Sequence, residues 1–132
     1  IVVIGTGEGT LNFEAQFGVG ILRSTDRGDT WNPTNVSYDV SAPNGFHFIE
    51  VNPLTGTMLA GDRGGIWRST DDGATWSRPH QIDTVDGAYP GLAELNDGSI
   101  LCIYYEEGKA SSIRQAIFTV EPSVQLENLG KR

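Results

Sequence analysis

A chain of 132 residues and 14.3 kDa, 38% hydrophobic and 20% charged, has the size of one domain and enough apolar content for a core. Its 17 acidic against 9 basic residues give a net charge of −8, which speaks against nucleic-acid binding and against adhesion to an anionic membrane, since both need clustered cations. The lone Cys102 excludes an internal disulfide and a multi-cysteine zinc site, and no apolar run approaches the ~20 residues of a membrane-spanning helix.

In chain order, the opening Ile-Val-Val lacks a methionine and reads as the start of a processed or excised piece. Ile1–Gly5 is a short β-branched run and predicts a strand. The glycine-rich stretch Gly5–Gly9 ends without the Gly-Lys-Ser/Thr of a phosphate loop. Further strands are predicted over Val19–Arg23, Phe46–Val51, Thr57–Gly61 and Ile66–Ser69, each bounded by Gly, Pro, Asn or Asp. Asn35-Val36-Ser37 has the form of a glycosylation acceptor, a triplet also common by chance. Leu92–Leu95, Asn96-Asp97-Gly98 and Ser99–Tyr105 read as a hairpin on an Asp-Gly turn, with Cys102 as a small buried hydrophobe. Ser112–Val120 is a last strand, and 125–132 is a polar tail. No segment carries a 3.6-residue apolar period. Neither His47 nor His80 has a partner at metal-ligand spacing, and no cofactor or metal site is expected.

The strongest feature is an internal repeat. Gly20–Trp31 and Gly65–Trp76 match at nine of twelve positions, 45 residues apart. A strand-rich period of this length predicts β-propeller blades. At four antiparallel strands each, the all-β chain makes about three blades, over 1–40, 41–84 and 85–124 within a propeller region of 1–124. Each repeat ends in Ser-x-Asp-x-Gly-x-Thr-Trp: Ser24, Asp26, Gly28, Thr30, Trp31, then Ser69, Asp71, Gly73, Thr75, Trp76. This is a turn device. The glycines reach backbone angles other residues resist, the Asp and Ser side chains take the turn amides, and the tryptophans pack beneath. A calcium loop would need more oxygen ligands at fixed spacing.

The pattern resembles the Asp-box, or BNR repeat, of sialidases, sortilin-type propellers and xyloglucan-active glycosidases, where it is a structural turn remote from the catalytic centre. The start, Ile4–Gly9 with Gly18–Ser24, resembles the sortilin and xyloglucan-hydrolase branch. The later part, Ala88-Tyr89-Pro90, Leu92–Leu101 and Tyr104-Tyr105-Glu106, resembles the last blades of a sialidase.

By that resemblance Tyr89 stands where the sialidase nucleophile does, although Pro90 replaces the usual Ser. A neutral phenol suits attack on an anionic sugar better than a carboxylate. Arg63, six residues before Ser69, stands near an arginine of the triad that clamps the substrate carboxylate. Glu106 matches an acid that orients another triad arginine, and Trp67 and Tyr104 are the aromatic candidates for a sugar surface. Two further arginines, a general-acid Asp and the Glu partner of the tyrosine would have to come from other blades. The expected function is therefore a non-catalytic glycan-binding or scaffold module. The alternatives are a sialidase-like glycoside hydrolase piece with Tyr89 and Glu106 in catalysis, or a protein-interaction propeller of sortilin type. Expected partners are a glycan or sialoside and either a second copy or the remainder of a larger propeller. The family's habit implies secretion.

Overall fold

The computed structural model describes residues 1–10, 13–85, 87–106 and 112–121, with only the backbone of 87–89. The predicted tail lies outside these residues. The described chain is all-β and partial-propeller-like. Nine strands form three antiparallel sheets: β1 (Val2–Gly5), β2 (Gly20–Ser24) and β3 (Asn32–Ser37); β4 (Phe48–Val51), β5 (Met58–Asp62) and β6 (Gly65–Ser69); β7 (Gly87–Glu94), β8 (Ile100–Glu106) and β9 (Ser112–Phe118).

The middle sheet is buried on both faces, and this organises the chain. Along β5 the side chains alternate, as strand geometry requires. Met58 and Ala60 join Ile21, Val36, Phe46 and Trp76 in a core against the first sheet. Leu59 points the other way and joins Ile66, Ile100 and Val120 against the third. Glycine lets the first two sheets approach, since a Cβ on Gly5 would lie 2.7 Å from Phe46; within the second sheet, one on Gly61 would strike the ring of its cross-strand partner Phe48.

Where four strands per blade were expected, each sheet has three among the described residues. The second sheet shows why. Residues 77–80 run beside β6, with Ser77 N–H donating to Arg68 O at 2.8 Å and His80 and Ile66 exchanging a pair of bonds at 2.8 and 2.9 Å. The ladder stops at that single bridge. Pro79 has no N–H, and the Arg68 N–H is taken by Ser77 Oγ at 2.9 Å. β3 is the strand expected to follow Trp31, but its bounds are not legible in the sequence because Asn32, Pro33 and Asn35 are poor strand formers. It is held by pairing with β2 and by Asn35, whose amide donates to Trp76 O at 2.7 Å and accepts from Trp76 N–H at 2.8 Å.

The repeated turns close as one hydrogen-bond pattern. Ser24 Oγ donates to Asp26 Oδ1 at 2.7 Å and accepts from Gly28 N–H at 2.8 Å. Asp26 accepts from Thr30 N–H at 2.9 Å and from Thr30 Oγ1 at 2.6 Å. Ser69, Asp71, Gly73 and Thr75 repeat these contacts within 0.2 Å. Both turns pass through two successive left-handed residues, Arg27–Gly28 and Asp72–Gly73. The tryptophans differ. Trp76 is 1% exposed and sits in the first core, whereas Trp31 is 37% exposed. The second turn leans on the first sheet, where Val3 touches Gly73; the first turn has no sheet on its far side among the described residues.

Trp76→Ala should cost about 3–5 kcal/mol in chemical denaturation and Trp31→Ala about 1 kcal/mol or less, although the two tryptophans hold the same place in the repeat. The turn bonds also hold Asp26 and Asp71 below the ordinary carboxylate range, Asp26 chiefly through Thr30 and Asp71 against an opposing desolvation. A depressed folded pKa contributes stability above the unfolded pKa near 3.9, which is lost as pH falls through the folded value. Melting temperature should therefore drop below about pH 4, and the acid limb should be shallower in Asp71→Asn.

Candidate functional site

Strand direction sorts the loops to two ends. The repeated turns 24–31 and 69–76 share one end with the turns 52–57 and 95–99. Arg23 Nε donates to Asp72 O at 2.8 Å there, and Asn52, Thr55 and Thr57 all donate to Glu94. The opposite end gathers the connections 38–47, 62–65 and 80–85 and the described residues between β1 and β2, where the second sheet has only the two-residue turn 63–64. At that end lies a cleft of about 930 Å³, bordered by Thr10, His47, Asp62, Arg63, Asp83 and Tyr104.

Each wall has its own rigid support. On the second sheet, Asp62 Oδ1 accepts from Gly64 N–H at 2.8 Å and Gly65 N–H at 3.1 Å. Its Oδ2 accepts from the Tyr38 hydroxyl, which reaches across from the first sheet. Both oxygens of Asp62 thus have partners, and they hold the turn that carries the exposed Arg63. Burial and the Asp62 carboxylate raise the Tyr38 phenol well above its ordinary value, so it stays a donor.

On the third sheet, Tyr104 is buried and its hydroxyl donates to Asp83 Oδ2 at 2.6 Å. Arg114 stands opposite Tyr104 in the β8–β9 register, on the same face. Its Nη1 pairs with Glu106 Oε2 at 2.8 Å and its Nη2 with Asp83 Oδ2 at 3.1 Å. Ser112 Oγ also donates to Glu106 Oε2, at 3.1 Å. The Tyr104 hydroxyl and then the Thr84 N–H hold Asp83 below the ordinary carboxylate range, and Arg114 then Ser112 do the same for Glu106. The Tyr104 phenol is raised, first by its bond to Asp83, and Arg114 is raised, first by Glu106. At neutral pH the cluster therefore holds two carboxylates, one guanidinium and a protonated phenol.

The sequence-derived candidates separate in space. Arg63 and Tyr104 border the cleft, and Glu106 joins Tyr104 through Arg114 and Asp83. Trp67 faces away, packed on the core between the first two sheets with its buried Nε1 unpaired. Tyr89 stands in β7 and its side chain lies outside the described residues. His80 stacks on Phe118, ring centroids 4.6 Å apart. Asp83 and Arg114 were missed by sequence reasoning. Asp83 lies in a loop without a motif, and only the hairpin register puts Arg114 opposite Tyr104. No group of three metal-ligating side chains occurs among the described residues.

The chain is similar in sequence to xyloglucanases. A xyloglucanase of Paenibacillus sp. is 38% identical over 85 residues, covering 58% of this chain and 8% of that enzyme. The xyloglucanase Xgh74A of Acetivibrio thermocellus is 38% identical over 65 residues, covering 44% of this chain and 8% of the enzyme. The chain thus spans less than a tenth of the length of these relatives. They fall on the xyloglucan-hydrolase side of the two resemblances drawn from the sequence. No protein-family model matches the chain, and no solved structure matches it.

Asp62→Ala should free the turn that carries Arg63. Amide hydrogen exchange at Gly64 and Gly65 should lose protection by about tenfold or more, while the Gly98 N–H, bonded to Leu95 O at 2.9 Å in a turn at the other end, keeps its own.

Proposed function

We propose that the chain is a non-catalytic segment of a carbohydrate-binding propeller, and that its cleft takes a neutral, hydroxyl-rich polysaccharide of the xyloglucan type. The observation that carries this reading is the polar lining of the cleft. Arg114 beside it is paired with Glu106 and Asp83, so its charge is balanced by two carboxylates. Neutral sugars need donors and acceptors side by side, and the cleft offers Arg63 on one wall and the Asp83 carboxylate on the other. The similarity to xyloglucanases supports the same ligand class. A polysaccharide does not cross a cell membrane, so secretion follows from this reading.

A second reading has one observation in its favour. Glu106 holds an arginine, as the sialidase resemblance implies, and Tyr89 could then serve as nucleophile in a completed ring. Completion is needed in either case. The outer face of the third sheet exposes Ile103, Ile113 and Ile117, and the first sheet exposes Val2 and Ile4, apolar surface of the kind that neighbouring sheets cover within the chain. A second copy packed on these faces would supply the missing sheets.

Light scattering should accordingly give a mass above 14.3 kDa. Calorimetric titration should detect binding of a xyloglucan oligosaccharide, weakened about tenfold by Arg63→Ala, with no release of reducing sugar. Hydrolysis of a fluorogenic sialoside, lost in Tyr89→Phe, would overturn this reading in favour of the sialidase-like one.

A further inference from the structure

We propose that the chain associates head to tail with a second copy of itself, the outer face of the first sheet of one copy seating on the outer face of the third sheet of the other, with Trp31 as the anchor. The inference rests on the completion by a second copy invoked above and gives it a direction and residues. It does not depend on what the cleft binds.

The internal repeat supplies the template. β2 aligns with β6, and the strand pairings carry that alignment to their neighbours. Val2 stands opposite Ser24 as Met58 stands opposite Ser69, and Ile4 stands opposite Leu22 as Ala60 stands opposite Trp67. Val2, Ile4, Leu22 and Trp31 of the first sheet are therefore the counterparts of Met58, Ala60, Trp67 and Trp76 of the second. All four of the latter pack in the core against the first sheet. Their counterparts lack such cover among the described residues. Val2 and Ile4 are 37% and 38% exposed, where Met58 and Ala60 are 9% and 0%. Trp31 shows the same contrast with Trp76. A face of the kind that seats on a sheet is thus left bare.

The third sheet carries a matching surface. Ile100 faces the second sheet, so alternation turns Leu101, Ile103 and Tyr105 of β8 outward. Their cross-strand partners Ile117, Gln115 and Ile113 on β9 share that face. Ile103, Ile113 and Ile117 are exposed. None of these six residues is charged, nor are the four on the first sheet, so the two faces meet without burying an unpaired charge. The order of the sheets sets the direction. The second sheet seats on the first through one face and receives the third on the other. The bare face of the first sheet is of the seating kind, and that of the third sheet is of the receiving kind. The contact therefore joins unlike faces, and made reciprocally it uses both bare faces of each copy.

Analytical ultracentrifugation over a concentration series tests this, with Trp31→Lys and Ile117→Lys each placing a charge in the contact. Wild type should sediment above the 14.3 kDa of a single chain. Each variant alone should associate at least about tenfold more weakly, since it brings a damaged face to every contact. An equimolar mixture of the two should recover association, because the Ile117→Lys copy still offers an intact first sheet to the intact third sheet of the Trp31→Lys copy. Circular dichroism verifies folding, and Trp31→Ala or Ile117→Ala stands in for a variant that does not fold. Trp31 lies outside both cores, so its loss leaves them intact. A wild type that stays monomeric at every concentration overturns the proposal, in favour of a further segment of a longer polypeptide as cover for these faces. Association of either variant alone at wild-type strength, or a mixture no stronger than its components, overturns it equally. A dimer of like faces would sink the head-to-tail direction while leaving completion by a second copy standing. Binding of a xyloglucan oligosaccharide is read separately, and its absence counts against the carbohydrate reading alone.

Discussion

Burial of the middle sheet on both faces is the constraint from which the rest follows. A strand sends successive side chains to opposite sides, so β5 can serve two cores only where its residues are apolar or small. Met58, Leu59, Ala60 and Gly61 meet that condition. β4 and β6 also serve both sides, with Ile49 and Trp67 turned to the first sheet and Phe48 and Ile66 to the third. The outer sheets have one such face covered and one exposed among the described residues, and their strands read accordingly, with Ile113 and Ile117 alternating with half-buried neighbours on β9.

Apolar stacking sets no unique angle between sheets, and the polar contacts at the sheet ends do. Asn35 reads both backbone groups of Trp76, as a neighbouring strand would, and ties the first sheet to the second. Glu94 does the equivalent for the second and third. Its side chain is 6% exposed and accepts from Asn52, Thr55, Thr57 and Arg68, so four donors offset the cost of burying one carboxylate. These contacts lie at the end occupied by the repeated turns. The opposite end is left to longer connections, and the cleft forms there.

The chemistry of that cleft follows from how its charges are spent. Asp62 is bonded to its own turn and to Tyr38, and Arg114 is paired with Asp83 and Glu106 beside the cleft. Arg63 is the exposed cation at the mouth, among the described residues without an ion pair.

What the sequence by itself determined is what local bonds enforce. The turn bonds of Asp26 and Asp71 span two to four residues, so two copies of the motif were legible without any tertiary information. The strands whose side chains serve a core were legible from their β-branched and aromatic runs, and with them the all-β class. β3 was not, because its stability comes from β2 and from Trp76 rather than from its own residues. Tertiary structure alone decided that Trp76 is buried and Trp31 exposed, since identical motifs differ only in whether a sheet lies beyond them. It alone turned Trp67 into the core and brought Asp83 to Arg114. The meeting of a loop carboxylate with a guanidinium across two sheets depends on how those sheets pack, and no spacing along the chain encodes it.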